Sequence, residues 1–225
     1  MRPALVALLL LPGCVIARQR VALPGGTDAR VLLLSGPLGE PLTRVARHAW
    51  LAVRREGAAE WERFEVLGPG GEWGHVHRSH GDPLGWFGQE LAAIRLHGQW
   101  RGRRAAAAIA CLERESPRYP FRHRYLIWPG PNSNTYVDLM LRRCGLRADL
   151  PSTCVGKDWR GSVGVGVSFT EGGTGVQLET PLVGLKIGLT EGIELHLFTL
   201  AIGVDLWPPA IVLPVGDGRI GFDDR

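Results

Sequence analysis

Lysine is nearly missing from this chain: of 26 Lys and Arg residues, only Lys157 and Lys186 are lysines. No Lys/Arg cluster is interleaved with aromatic residues, so the formal net charge of +4 does not mark a nucleic-acid-binding surface. Arginine beside abundant Ala and Gly looks instead like the codon bias of a GC-rich genome. Nor is there an apolar run of membrane-spanning length. The stretch from Pro3 to Ala17 holds about 15 residues where roughly 20 are needed, and Pro12 interrupts it as a helix. No exact internal repeat occurs. What remains is 225 residues, 45% hydrophobic and 21% charged, enough for one domain with a core, or one domain plus an appendage.

The short apolar run has a different use. Residues 1–14 read MRPALVALLLLPGC, with one positive charge, an apolar stretch and small residues before a cysteine. That is the layout of a secretory leader. Leu11-Pro12-Gly13-Cys14 resembles the bacterial lipoprotein cleavage box, with Pro12 the less usual occupant. The resemblance implies a signal peptide over 1–13, cleavage before Cys14 and a lipid on its sulfur. Two or three acyl chains there anchor stably where one is marginal. The expected address is therefore the bacterial cell envelope, with the membrane as partner through Cys14. The alternative is an uncleaved hydrophobic anchor. Cys111, Cys144 and Cys154 remain; three is an odd number, so at most one internal pair forms. Cys144 and Cys154 are nearest in sequence, while Cys111 and Cys144 lie on segments able to pack together.

Residues 14–28, with Pro24-Gly25-Gly26, read as a tether. Val31–Ser35 reads as a strand; Arg47–Arg54 and Trp61–Leu67 read as a hairpin. Residues 68–88 are Gly-rich and irregular, and Glu90–Ile94 reads as a short helix. Arg103–Glu115 is a helix by propensity, and Arg124–Trp128 a short strand or extended piece. Pro129-Gly130-Pro131-Asn132 turns into a helix from Ser133 to Arg143, which Gly145 stops. From Gly161 onward, 13 of 65 residues are Gly, and the short apolar runs have strand lengths. Charge is uneven. Residues 95–124 hold eight Arg against two Glu, and residues 161–225 hold eight acids against three bases. These read as two solvated faces, or, for the basic helix, as a face toward anionic lipid or cell wall.

One constellation carries chemistry. A hairpin turn centred between Glu56 and Gly57 sets His48 opposite Glu65 and Trp50 opposite Arg63. A carboxylate beside an imidazole fixes its tautomer and raises its basicity. Asn132 caps the following helix, which puts Ser133 in its first turn, where free N–H groups and the positive helix end favour an anion. Ser133 is then the candidate nucleophile, His48 the base and Glu65 its orienter, with Asn132 and Asn134 as cap and oxyanion residues. The plain alternative is a tight turn into a helix.

His48-Ala49-Trp50, Phe64-Glu65-Val66, Trp86-Phe87-Gly88, the octapeptide Trp128–Thr135 (WPGPNSNT), Gly156-Lys157-Asp158 and Glu191-Gly192-Ile193-Glu194 occur in this order. Together they resemble the uncharacterised bacterial family "domain of unknown function 3750" over about residues 30–215. That family has no activity to carry over. More remotely, Asn132–Val137 is similar to the helix start of permuted papain-like proteins, the NlpC-type peptidases and the lecithin:retinol acyltransferase group. Here Ser stands where their nucleophilic Cys would be. That likeness implies an α+β fold: a permuted papain-like core (β-hairpin plus helices) over 29–150 and a Gly-rich, β-rich extension over 151–225. It also implies a serine-nucleophile hydrolase or acyltransferase acting on a cell-wall or acyl substrate. The alternative is a non-catalytic binding or structural lipoprotein of the same fold. Lys157 is a candidate anion contact, against an internal pair with Asp158. His75, His77 and His80 lie in a loop that sets no metal-ligand spacing, so no metal or other cofactor is expected. Trp73, Trp86 and Trp100 line a groove or pack in the core.

Overall fold

The computed structural model describes residues 21–68, 76–85, 93–161, 166–170 and 173–222. Cys14, Trp73, His75, Trp86, Phe87 and most of the short helix expected over Glu90–Ile94 lie outside them.

Strands β1 (Arg30–Pro37), β2 (Arg47–Arg54), β3 (Glu62–Val66), β4 (Val76–His80) and β5 (Arg95–Arg101) form one antiparallel sheet in the order β4-β3-β2-β1-β5. Its inner strands are buried on both faces, and alternate side chains divide between two apolar layers. Ala49, Leu51 and Val53 of β2 point at helices α1 (Gly102–Glu115) and α2 (Ser133–Arg143). Trp50 and Ala52 point to the opposite layer with Leu32, Leu34, Trp61 and Ile94. Helix α1 buries Ala105, Ala108, Ile109 and Leu112, a stripe at helical spacing. A disulfide joins Cys111 of α1 to Cys144 at the end of α2, leaving Cys154 a buried thiol whose pKa burial pushes up to about 12.

The last third of the described chain is a meander. Strands β6 (Gly166–Phe169), β7 (Gly175–Glu179), β8 (Val183–Gly188), β9 (Gly192–Leu197), β10 (Leu200–Leu206), β11 (Pro209–Val212) and β12 (Arg219–Gly221) pair in chain order as a second antiparallel sheet. One face packs against the α2 side of the first unit. There Arg142 donates to Gln177 Oε1 at 2.6 Å, Ser152 donates to Gly218 O at 2.8 Å, and Thr199 donates to Pro129 O at 3.2 Å.

Among the described residues the molecule is therefore mostly β, with two antiparallel sheets and two short α-helices. This overturns the α+β expectation and its permuted papain-like core of hairpin plus helices. The physical reason lies in the outer strands. β4 (VHRSH) and β5 (RLHGQWR) are half-exposed edges whose Arg and His side chains mask the apolar alternation that marks a strand. With them, the hairpin becomes the centre of a five-stranded sheet. Arg124–Trp128 is not a strand. The hairpin register is also corrected. Leu51 pairs with Phe64 and Ala52 with Arg63, two residues away from the expected match.

Candidate functional site

The octapeptide around Ser133 is where the sheet, the helices and a later turn meet. Asn132 caps α2: its side chain accepts from Asn134 N at 2.9 Å and from Thr135 N at 3.3 Å, while Thr135 Oγ1 receives the Asn132 amide at 3.1 Å. The Asn132 side-chain amide in turn donates to Ile127 O and Val155 O. Asn134 acts as a short piece of strand. Its Oδ1 accepts from Ala49 N and its Nδ2 donates to Arg47 O, each at 2.9 Å. Thr135 donates to Gly156 O at 2.6 Å. Gly156 sits at φ +90°, and a Cβ there would lie 2.3 Å from Asn132 Nδ2, so this close approach requires glycine. These side chains hold α2, β2 and the 154–157 turn in one arrangement.

Ser133 takes the first position of α2 and is 3% exposed. It lies beside the phenol of Tyr125, where its hydroxyl and backbone amide act to lower the phenol's pKa but burial outweighs them and raises it. With Asn134 N and Thr135 N bonded to the cap and Tyr136 N to Asn132 O at 3.1 Å, the first-turn amides are all engaged within the protein. An oxyanion at this helix end would have to displace one of those partners.

His48 and Glu65 do meet. His48 Nε2 lies 2.8 Å from Glu65 Oε2, and Arg63 donates to the same oxygen at 2.9 Å while its guanidinium stacks over Trp50. The two-residue register difference leaves both side chains on one face because side chains alternate with period two. Burial lowers the His48 pKa more than its bond and charge contact with Glu65 raise it, so the imidazole is neutral and donates Nε2–H to the carboxylate. Burial opposes ionisation of Glu65, but His48 and Arg63 outweigh it and hold the carboxyl below its usual range. His77 stands directly across from Glu65, and its Nε2 is buried without a hydrogen-bond partner among the described residues. No hydrogen bond joins Ser133 to His48 among the described residues. The Ser–His bond that is present, unforeseen from the sequence, links Ser35 Oγ to His97 Nε2 at 2.7 Å, with Arg47 donating to the same hydroxyl at 2.8 Å. Ser35 is wholly buried, and the trio clamps β1, β2 and β5 together.

The sequence model of the family described as protein of unknown function (DUF3750) matches residues 29–159, more than half of the chain. This chain belongs to that family. No curated protein and no solved structure shows a match. In this DUF3750 chain the matched segment contains the octapeptide and Gly156-Lys157-Asp158, and it ends before the seven-stranded sheet.

Lys157 lies just inside that boundary and is 1% exposed. Its ammonium sits 2.9 Å from Asp158 Oδ2 and 3.9 Å from Asp149 and Glu194, so its anion contacts are internal. The other lysine, Lys186 of β8, is also buried, 3.5 Å from Glu194, 3.7 Å from Asp149 and 3.8 Å from Asp158. His196 completes the group, with Nδ1 on Glu179 and Nε2 3.2 Å from Glu194. Burial opposes its protonation, but Asp158 and the bonds to Glu179 and Glu194 prevail and raise its pKa to about 9. Asp158, Glu179 and His196 each offer an atom to a cation within 4.8 Å of one another. At neutral pH, however, His196 is an imidazolium that donates from both nitrogens, to Glu179 and Glu194, and the two ammonium groups lie against Asp158. In this DUF3750 chain the cluster is a charge-compensated joint between the segment that follows α2 and the seven-stranded sheet.

Proposed function

We propose that this chain is a lipid-anchored protein of the bacterial cell envelope that binds or scaffolds rather than catalyses. The observation that carries the reading is at α2: Ser133 is buried, its hydroxyl and amide face Tyr125, and the remaining first-turn amides are bonded internally. A serine nucleophile needs an adjacent base and open oxyanion donors. The octapeptide's chemistry goes instead into joining β2, α2 and the 154–157 turn. Leu11-Pro12-Gly13-Cys14 supports export and acylation, and the Cys111–Cys144 disulfide is in keeping with an oxidising compartment. A fluorophosphonate probe should leave the purified protein unlabelled, and Cys14→Ser should release it from membranes with loss of fatty-acid incorporation. Labelling that disappears in Ser133→Ala would overturn the non-catalytic part. Retention and continued acylation of Cys14→Ser would overturn the anchor.

A second reading is favoured by the 2.8 Å contact between His48 and Glu65. In it the chain is a hydrolase or acyltransferase acting on a cell-wall or acyl amide or ester, with Ser133 as nucleophile, His48 as base and Glu65 as its orienter. It requires both that Tyr125 withdraw and that His48, which shares the Trp50 face of β2, turn toward α2. Tyr125→Phe removes the phenol that occupies Ser133. Probe reactivity gained in that variant and lost again in Tyr125→Phe/Ser133→Ala would support this reading over the first.

A further inference from the structure

The seven-stranded sheet is turned inside out. Inward positions carry Gln177, Glu179, Lys186, Glu194, His196 and Asp205, all buried. Outward strand positions carry Val, Leu, Ile and Phe, with Pro209 the one exception, and none among the described residues has a polar side chain. Phe169 is 74% exposed, Leu195 56% and Ile202 50%. These outward side chains run across seven hydrogen-bonded strands, an apolar face beyond the few hundred Å² usual for the largest patch on a soluble monomer.

We propose that this outer face docks on the acyl region of a lipid surface. Two observations favour lipid over a protein partner. First, a protein interface carries about one hydrogen bond per 100–200 Å², and the outward side chains of this face supply none, whereas acyl chains ask for none. Second, Trp128 and Trp207 stand exposed beside the strands, Trp128 with its indole N–H bonded to Phe198 O. Tryptophan with an apolar body and a satisfied polar tip suits the lipid–water boundary. The strands hold three to seven residues, short of the roughly 9–11 that cross a bilayer, so the sheet lies on the surface and does not span it.

The face is uncharged, which gives the test its handle. The chain from residue 14 onward carrying Cys14→Ser, so that neither the apolar leader nor acylation plays a part, is sedimented with vesicles of neutral phosphatidylcholine and with vesicles containing anionic phosphatidylglycerol, at low and high salt. Binding to both, insensitive to salt, is expected. Ile193→Thr/Leu195→Thr/Ile202→Thr/Val204→Thr alters two directly opposed cross-strand pairs and should lower partitioning at least tenfold while leaving the thermal melt in place. Binding that needs anionic lipid and vanishes in salt would assign the contact to the arginine-rich helix and overturn the proposal. So would unchanged binding of the fourfold variant, or a stable dimer in solution that the four substitutions dissociate. Because Cys14→Ser is present throughout, failure of the lipid-anchor reading shows in cells and failure of the docking face shows on vesicles.

Discussion

The two sheets obey the same alternation and bury opposite kinds of residue. In the five-stranded sheet, apolar side chains enter layers on both faces, and β2 has no exposed position. In the seven-stranded sheet, Glu179, Lys186, Glu194 and His196 point into the molecule while Val, Leu and Ile point out. A period of two says which residues share a face. It does not say which face is covered. The first sheet is held by burial of apolar area, the second by charges that must stay matched, and the two should fail in different ways.

The largest expected effect comes from unbalancing the inward charges. Lys186→Ala leaves Glu194, Asp149 and Asp158 with one ammonium fewer in a site with little water. Removing one partner from a buried ion network costs about 3–5 kcal/mol, although the intact network adds little net stability. Chemical denaturation of Lys186→Ala should show that loss. A change below about 1 kcal/mol would mean that solvent reaches the inner face and that the contrast between the sheets is weaker than drawn. Next in size is the brace on the other sheet. Cys111 and Cys144 are 33 residues apart and tie α1 to α2. Cys111→Ser/Cys144→Ser should lower stability by about 3 kcal/mol in denaturant, largely through the freed unfolded chain. An equal stability with and without the bond would show that α1 and α2 are held by the sheet alone.

Much of the first sheet was legible, and so was α2. The strand Arg47–Arg54, the helix Ser133–Arg143, its Asn132 cap and its Gly145 stop follow from local rules and stand where those rules put them. The His48–Glu65 contact came from a turn placed one residue off, which shifts the register by two, and it survives because an even slip preserves the face. The edge strands β4 and β5 were not legible, because exposed Arg and His positions carry no apolar signal. What closed the site was less legible still. Nothing local in Ser133 names Tyr125 as its partner, and nothing in Lys157-Asp158 names Glu194 or His196, some 36 residues on, as the rest of its network. Acids of the last third were read as a solvated face, since strands usually put charge outward. The seven-stranded sheet reverses that habit, and only the packing of its neighbours reveals the reversal.

His196 sharpens the comparison with pH. Its pKa of about 9 in the folded chain stands above the ordinary value of 6.5. The protonated form is therefore favoured by folding: its contribution is complete below about pH 6.5 and is lost as pH rises through about 9. The loss should be on the order of 3 kcal/mol. Melting temperature followed from pH 6.5 to 9.5 should fall, and His196→Gln should flatten the slope over that window. A wild-type profile that is flat there would show that His196 folds as a neutral ring, in which case the carboxylates beside it answer to the lysines alone.

The smallest effect is the one that separates the two sheets most cleanly. Ile202 lies outward on β10 opposite Leu195 of β9, half-exposed, with its neighbours in sequence, Ala201 and Gly203, turned toward the molecule. Ile202→Thr keeps the branched Cβ that suits a strand and replaces a methyl-bearing arm that already faces outward, so no cavity forms and no hydroxyl is buried. The free protein should lose less than about 0.5 kcal/mol, the usual range for a surface substitution. Val53→Thr supplies the contrast on the first sheet. Val53 is wholly buried in the layer under the helices, so its new hydroxyl enters an apolar site and should cost about 1–3 kcal/mol. Denaturant titrations of the two variants at micromolar concentration read the difference directly. If Ile202→Thr costs as much as Val53→Thr, and the cost falls on dilution, the outer face is already covered in solution by a second copy and the sheet is a buried one after all. If it costs nothing at any concentration, the face is open, and the aliphatic surface is there for something that the free protein does not supply.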